Sequence, residues 1–303
     1  MIFTGRIWRW SEGEQEDQSA KNVENTSWTK PHFARMEHGL VKSAWKKPGH
    51  GLMTMTKRII GLSGGKDSMA TAILAHILKR DVSECVYCKV MFDERTSGEV
   101  PEHELFLQEE AFPKIRKDFG FHIETIRDER NYVQLHNTPI SKGERKGLLR
   151  GSPVCFGCWV QRDLKVKPLE KYYKAQPKNS AYYVGIAKDE ESRLLSLAKG
   201  NKISLLAECG FTEDDAKELC KLYGLLSPIY DFADRNGCFF CPNAKEKEFR
   251  HLRDHHPNLW SNMLDLEKTP GVVRKNYNRE MTLAEIEANF AIDDLQCSIF
   301  DFI

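Results

Sequence analysis

With 303 residues the chain can bury one sizeable core with appendages, or two domains at most. Its 45 lysines and arginines nearly balance 44 aspartates and glutamates, so no global field recruits nucleic acid or a membrane surface, and a nucleic-acid contact must use a local patch. No window reaches the apolar length of a membrane span, and the N-terminus has no apolar signal core. Nine cysteines, with three C-x-x-C pairs and no secretory signal, point to metal or redox roles in a reducing cytoplasm rather than to disulfides.

Residues 1–54 hold four of the six tryptophans (Trp8, Trp10, Trp28, Trp45) but no sustained period of 2 or 3.6, which predicts an irregular N-terminal extension. Met53 and Met55, just ahead of the first strand, are candidate starts; the rival reading is a partner-binding arm anchored by its tryptophans. From Lys57 onward strands and helices alternate, the pattern of an α/β domain with a doubly wound parallel sheet over residues 55–200. A helical C-terminal part is expected over 201–303. The predicted strands are 59–62, 86–92, 122–126 and 182–186. The predicted helices are 69–78, 101–119 with a kink at Pro113, 160–174 with Pro168 inside it, and 189–199. Residues 137–152, with Lys142, Arg145, Lys146 and Arg150, are expected to be a mobile basic loop, a solvated rather than functional feature. Thr212 with Asp215, and Thr282 with Glu285, carry the capping-box spacing that opens a helix.

The stretch that organises the chain is Ser63-Gly64-Gly65-Lys66-Asp67-Ser68, placed between a buried strand and an apolar helix. Small side chains let the backbone fold tightly, so that successive N–H groups point into one cavity. The helix N-terminus behind them adds partial positive charge, which makes the turn an anion cradle. Lys66 brings a full charge, Ser63 and Ser68 bring hydroxyls, and Asp67 can hold a magnesium ion or a water. The bland alternative is a Gly-Gly turn that happens to join strand and helix. The spacing is not that of the Walker loop.

Cys155-Phe-Gly-Cys158 and Cys238-Phe-Phe-Cys241-Pro242 are two C-x-x-C knuckles. Each turn aims two thiolates at one point, and two such turns complete a four-sulfur site for zinc or a [4Fe–4S] cluster; spacing does not separate the two. The alternative is four cysteines used as small core residues. Cys85 and Cys88, three apart on a strand, point to opposite faces and read as packing. Cys209 and Cys220 also read as structural.

The six-residue loop resembles the PP-loop of the ATP pyrophosphatase superfamily, whose members cleave ATP between the α and β phosphates. Further stretches resemble the phosphoadenosine-phosphosulfate (PAPS) reductase branch of that superfamily: Glu99-Val-Pro-Glu-His103, Leu164-Lys165-Val166-Lys167-Pro168-Leu169 after the first knuckle, and Gly185-Ile186-Ala187-Lys188-Asp189-Glu190-Glu191-Ser192-Arg193. Together they cover most of residues 57–265. The resemblance implies an adenine nucleotide alpha-hydrolase fold and a [4Fe–4S] cluster, with zinc as the alternative, on Cys155, Cys158, Cys238 and Cys241. It implies ATP and Mg2+ at Ser63 to Ser68, catalytic roles for Lys66 and Asp67, and anionic-substrate contacts for Lys165, Lys188 and Arg193. Two departures count against a thiol-dependent PAPS reductase: Lys66 and Asp67 are retained, and Cys297 lacks the Glu-Cys-Gly setting of that branch's catalytic cysteine. The expected activity is therefore adenylation of a substrate with release of pyrophosphate, followed by sulfur transfer to nucleic acid or a nucleotide with a sulfur-donor protein as partner. A non-catalytic ATP- and metal-binding subunit of a nucleic-acid-modifying complex is the other alternative. Gln296-Cys297-Ser298-Ile299-Phe300 also resembles the pentapeptide that docks on the bacterial sliding clamp, which would add the clamp as a partner; the commoner behaviour of such an apolar tail is to fold back onto the core.

Overall fold

Residues 57–153, 157–197, 200–273, 277 and 281–300 are described by the computed structural model, with side chains as far as Leu295. The expected N-terminal extension, and Cys155 of the first knuckle, lie outside them. The described residues belong to one compact unit spanning 48–303.

Five parallel strands form the sheet: β1 (Arg58–Gly61), β2 (Glu84–Cys88), β3 (Ile123–Ile126), β4 (Ala181–Tyr183) and β5 (Lys202–Ile203), in the order β3-β2-β1-β4-β5. β1 is central and pairs with both β2 and β4, Ile60 opposite Cys85 on one side and Tyr183 on the other. Ile59 and Ile60 are both fully buried, as expected of a parallel strand covered on both faces. The α/β class and the all-parallel sheet agree with the sequence expectation. β5 was not legible there, being two residues long.

Helix α1 (Lys66–Ile77) follows β1 and is buried continuously from Ser68 to Ala75. Its small Ala and Ser residues let other helices approach from several sides. It starts three residues earlier than the apolar pattern predicts, because Lys66 and Asp67 form its first turn. The helix expected over 101–119 is α2 (Pro101–Phe106), a wide π turn (Leu107–Ala111) and α3 (Phe112–Asp118). Pro113 has no N–H, and its ring crowds the carbonyl four residues back, so the preceding turn opens. Pro168 acts the same way: Gln161–Val166 is a π turn ahead of α5 (Lys167–Lys174). The carbonyl of Leu164 thereby loses its helical donor, and Cys88 Sγ–H donates to it at 3.4 Å. Between these segments lies the short helix α4 (Tyr132–His136), opened by an Asn131–Gln134 capping box that the sequence reading missed.

Past β4 come α6 (Glu191–Leu197), α7 (Leu205–Glu208), α8 (Glu213–Leu222), a 3-10 turn (Pro228–Asp231), α9 (Glu246–His255), α10 (Pro257–Glu267) and α11 (Leu283–Phe300). The Thr212–Asp215 box opens α8 as predicted. At α11, Glu285 N–H donates to Thr282 Oγ1 and Thr282 N–H to the Glu285 carboxylate. The backbone of residues 296–300 is helical; their side chains are outside the described set. Asp293 and Asp294, ahead of the clamp-type pentapeptide, are ion-paired to Arg250. Among the described residues no helix is long and apolar enough to cross a membrane.

The C-terminal helices close over an aromatic core. Tyr132 and Phe240 pack with ring centres 4.1 Å apart, and Phe92 and Trp159 stack on Tyr132 at 5.5 and 5.3 Å. Phe239, Phe249, Trp260, Tyr277 and Phe290 belong to the same cluster. Phe240 sits inside the second cysteine knuckle, and Tyr277 Oη–H donates to its carbonyl, so the knuckle is built on this core. Truncating a fully buried phenylalanine costs about 3–5 kcal/mol. Urea unfolding of Phe240→Ala is expected to show a loss of that size; a loss below about 1 kcal/mol would show that the core does not hold the knuckle.

Candidate nucleotide-binding loop and cysteine cluster

In the order β3-β2-β1-β4-β5 the chain leaves β1 and β4 in opposite directions, so the crevice beyond their C-terminal ends is the topological switch point, where doubly wound sheets bind ligands. The Ser63–Ser68 loop lies there. Gly64 has φ +84°, a left-handed conformation that glycine adopts without strain. Gly65 is the N-cap of α1 and makes no side-chain cap bond. Ser68 Oγ accepts from Ser63 N–H at 3.1 Å and donates to the Gly65 carbonyl at 2.9 Å, which ties the two ends of the turn together. Lys66 N–H is met by an oxygen from a distant element, the Tyr230 hydroxyl at 2.9 Å.

The loop after β4 presses against this turn. A Cβ on Gly185 would lie 2.6 Å from the Asp67 carbonyl carbon and 2.6 Å from Ser68 N, so only glycine permits the approach. The charged groups then converge. Lys66 Nζ is 2.9 Å from Asp67 Oδ1 and 2.7 Å from Glu213 Oε2. Burial alone would lower the ammonium pKa, but the hydrogen bonds with Glu213 and Asp67 more than offset it, and the net direction is upward. Burial raises the Asp67 pKa, with Glu213 and Glu190 adding to the rise and Lys66 opposing it. Two carboxylates, Asp67 and Glu213, therefore hold one ammonium, while Glu190, paired with Arg193, acts on Asp67 only through its field. Glu213 was not foreseen; its only sequence signal is its place one residue after the capping Thr212.

Two further residues complete the wall. Asn236 Nδ2 donates to the Ser63 carbonyl at 3.1 Å, and a Cβ on Gly65 would meet its Oδ1 at 2.7 Å. His103, fully buried, bonds Ser227 Oγ through Nδ1 at 2.8 Å. Its Nε2 has no partner, and a Cβ on Gly64 would lie 2.8 Å from it. The imidazole thus abuts the glycine turn with a free polar atom. His103 was quoted in the sequence only as part of a motif, not as a site residue.

Of the cysteine ligands expected from the two knuckles, Cys158, Cys238 and Cys241 are described. Cys241 N–H donates to the Cys238 carbonyl at 3.0 Å, closing the knuckle turn. Burial pushes the Cys238 thiol up to about 12, with Lys165 opposing and Glu99, Cys241 and Cys158 adding to the rise. Burial likewise raises Cys241, opposed by Arg235, with Cys158 adding to the rise. Cys158, Cys238 and Cys241 are half-buried, and their three sulfurs do not all lie within 4.8 Å of one another; the thiolates of such turns are soft ligands of the kind that zinc and iron–sulfur clusters take. Lys165, expected at an anionic substrate, lies beside Cys238, its Nζ 3.9 Å from Glu99 Oε1. The nearby Cys238 sulfur raises its pKa more than burial lowers it. Lys188 and Arg193 are exposed, and Arg193 pairs with Glu190. Arg150 of the basic loop lies over Trp159 and pairs with the buried Asp163, while Lys142, Arg145 and Lys146 are exposed. Cys85 and Cys220 are buried, the latter donating to the Lys66 carbonyl at 3.1 Å.

No protein-family model matches the chain, and no curated protein matches it.

The His103 ring supplies a pH test. Burial lowers its pKa from the ordinary 6.5. The unfolded chain binds this proton as pH falls through that value and the folded chain does not, so the stability contribution is full above pH 6.5 and declines below it. Nitrogen-15 spectra of the imidazole are expected to show His103 taking up its proton at lower pH than an exposed ring does. A ring that protonates at or above the ordinary pH would contradict the burial described.

Proposed function

We propose that the chain binds ATP at the Ser63–Ser68 loop and cleaves it between the α and β phosphates to adenylate a substrate, as the resemblance to PP-loop ATP pyrophosphatases of the PAPS reductase branch implies. The observation that carries this reading is the N-terminus of α1 at the switch point, fronted by Gly64 at φ +84° and by the Lys66 ammonium, with the Lys66 N–H met by the Tyr230 hydroxyl. In the proposed step a substrate oxygen attacks the α-phosphorus, the α–β bridging bond breaks, and its electron pair leaves with pyrophosphate. Lys66 and the loop amides would stabilise the charge growing on that leaving group. Phosphate oxygens would compete with Asp67 and Glu213 for the Lys66 ammonium, releasing Asp67 for magnesium. A bound magnesium ion would neutralise phosphate charge and orient the leaving group. A sulfur nucleophile on the donor would then attack the adenylated carbon or phosphorus, whose bond to the AMP oxygen breaks with the electron pair leaving on AMP, nucleic acid or a nucleotide being the acceptor class.

The cysteine cluster is proposed to hold [4Fe–4S] on Cys155, Cys158, Cys238 and Cys241, zinc being the alternative. When bound, such a cluster supplies redox-active iron. The Lys165 ammonium beside Cys238 would offset thiolate charge at that edge, and the Glu99 carboxylate would oppose it. Anaerobically purified protein is expected to be brown and Cys241→Ser to bleach it; stoichiometric zinc without iron would contradict the cluster.

Isothermal titration tests the nucleotide. ATP is expected to bind more tightly than PAPS, and Lys66→Ala to weaken ATP by about 1.5–3 kcal/mol through loss of a charge-assisted phosphate contact. PAPS binding more tightly than ATP, or an indifferent Lys66→Ala, would overturn the assignment.

A further inference from the structure

A third set of converging side chains lies on the far side of α2. Glu102, in that helix's first turn, meets His251 of α9 and His256 just past its end: His251 Nε2 is 2.8 Å and His256 Nε2 2.9 Å from Glu102 Oε1. The three donor atoms all lie within 4.8 Å of one another, and among the described residues no other trio of His, Cys, Asp or Glu converges so tightly.

Hydrogen bonding alone accounts poorly for this arrangement. Both imidazoles would have to carry their proton on Nε2 and share one carboxylate oxygen, while Glu102 Oε2 is buried without any partner. A cation at the meeting point uses the two nitrogen lone pairs and the carboxylate together. Ligands about 2.0–2.2 Å from a tetrahedral ion stand roughly 3.3–3.6 Å apart, so each carboxylate–imidazole spacing must open by about 0.4–0.8 Å.

The ligands are also held in place. Pro101 begins α2 and fixes the backbone next to Glu102. The His251 ring stacks on Phe232, centres 3.7 Å apart and 9° from parallel, with His255 edge-on at 4.4 Å. His256 sits at the junction of α9 and α10, its N–H bonded to the Leu252 carbonyl at 2.8 Å. One side is open: His256 lines a cleft of about 500 Å³ with Glu104, Gln108 and Asn258.

We propose that Glu102, His251 and His256 form a binding site for a divalent transition metal of the zinc class, with a fourth position open to water from that cleft. Two nitrogens and one carboxylate with an open position are a donor set of that class. The site stands independently of the nucleotide reading. It also bears on the phosphate loop, because Glu102 and His103 are consecutive and a metal would fix the helix that seats His103 against Gly64.

Cobalt(II) added to chelator-treated full-length protein provides the test. In protein carrying Cys238→Ser and Cys241→Ser, which removes the second knuckle, one equivalent is expected to bind with visible ligand-field bands and no intense thiolate charge-transfer absorption. His251→Ala with His256→Ala is expected to abolish those bands, a loss of more than about a hundredfold in affinity. His256→Cys keeps a metal-binding side chain and is expected to retain cobalt while adding a thiolate charge-transfer band, an outcome that a hydrogen-bonded trio cannot produce. Cobalt bands that persist in the double variant, or a His256→Cys protein that binds cobalt without the new band, would overturn the proposal. So would absence of cobalt binding outside the cysteine cluster.

Discussion

The close approach of Gly185 to the first turn of α1 is the constraint on which the rest of the site depends. β1 and β4 are neighbours, and their outgoing loops run to opposite sides of the sheet; the crevice they leave is narrow because a backbone without Cβ lets one loop rest on the other. That contact carries Glu190 to the Asp67 side of the turn, and α8 delivers Glu213 to Lys66. A helix N-terminus favours an anion by about 0.3–1 kcal/mol at an exposed site and up to about 2 when partly buried. The dipole alone is thus a weak ligand. On the proposed reading, the glycine turn and the Lys66 ammonium would supply the rest.

The two chemical centres are joined through short pieces of backbone rather than through one long element. Phe239 N–H donates to the Gly98 carbonyl at 3.0 Å, which brings the second knuckle alongside the segment leading into α2. Glu99, next in that segment, faces Lys165 and the Tyr87 hydroxyl. Asn236, two residues before Cys238, reaches the Ser63 carbonyl. A shift of the knuckle on taking up a metal would therefore be felt at both the glycine turn and α2.

Much of this was legible in the sequence where the cause is local. The buried β1, the small-residue turn and the apolar α1 follow from a few consecutive residues, and the capping boxes at Thr212 and Thr282 from a four-residue spacing. What escaped was brought in by tertiary packing: Tyr230, Glu213 and Asn236 lie 164, 147 and 173 residues from their partners in the loop. The place of Lys165 beside Cys238 and Glu99 was likewise not legible, because both partners come from other elements. Cys88 reads as packing, yet its thiol caps the carbonyl that the same proline orphans. The trio at Glu102 has no sequence signature because its carboxylate and its histidines are 149 and 154 residues apart.

The central claim is that the turn between β1 and α1 cradles a chain of phosphates. Titrating magnesium pyrophosphate into nitrogen-15-labelled protein and following the backbone amides addresses it without requiring the acceptor. The largest shifts are expected at Gly64, Gly65, Lys66 and Asp67, with a smaller response at Gly185. Unshifted loop amides, or shifts confined to the basic loop around Lys142, Arg145 and Lys146, would contradict the account.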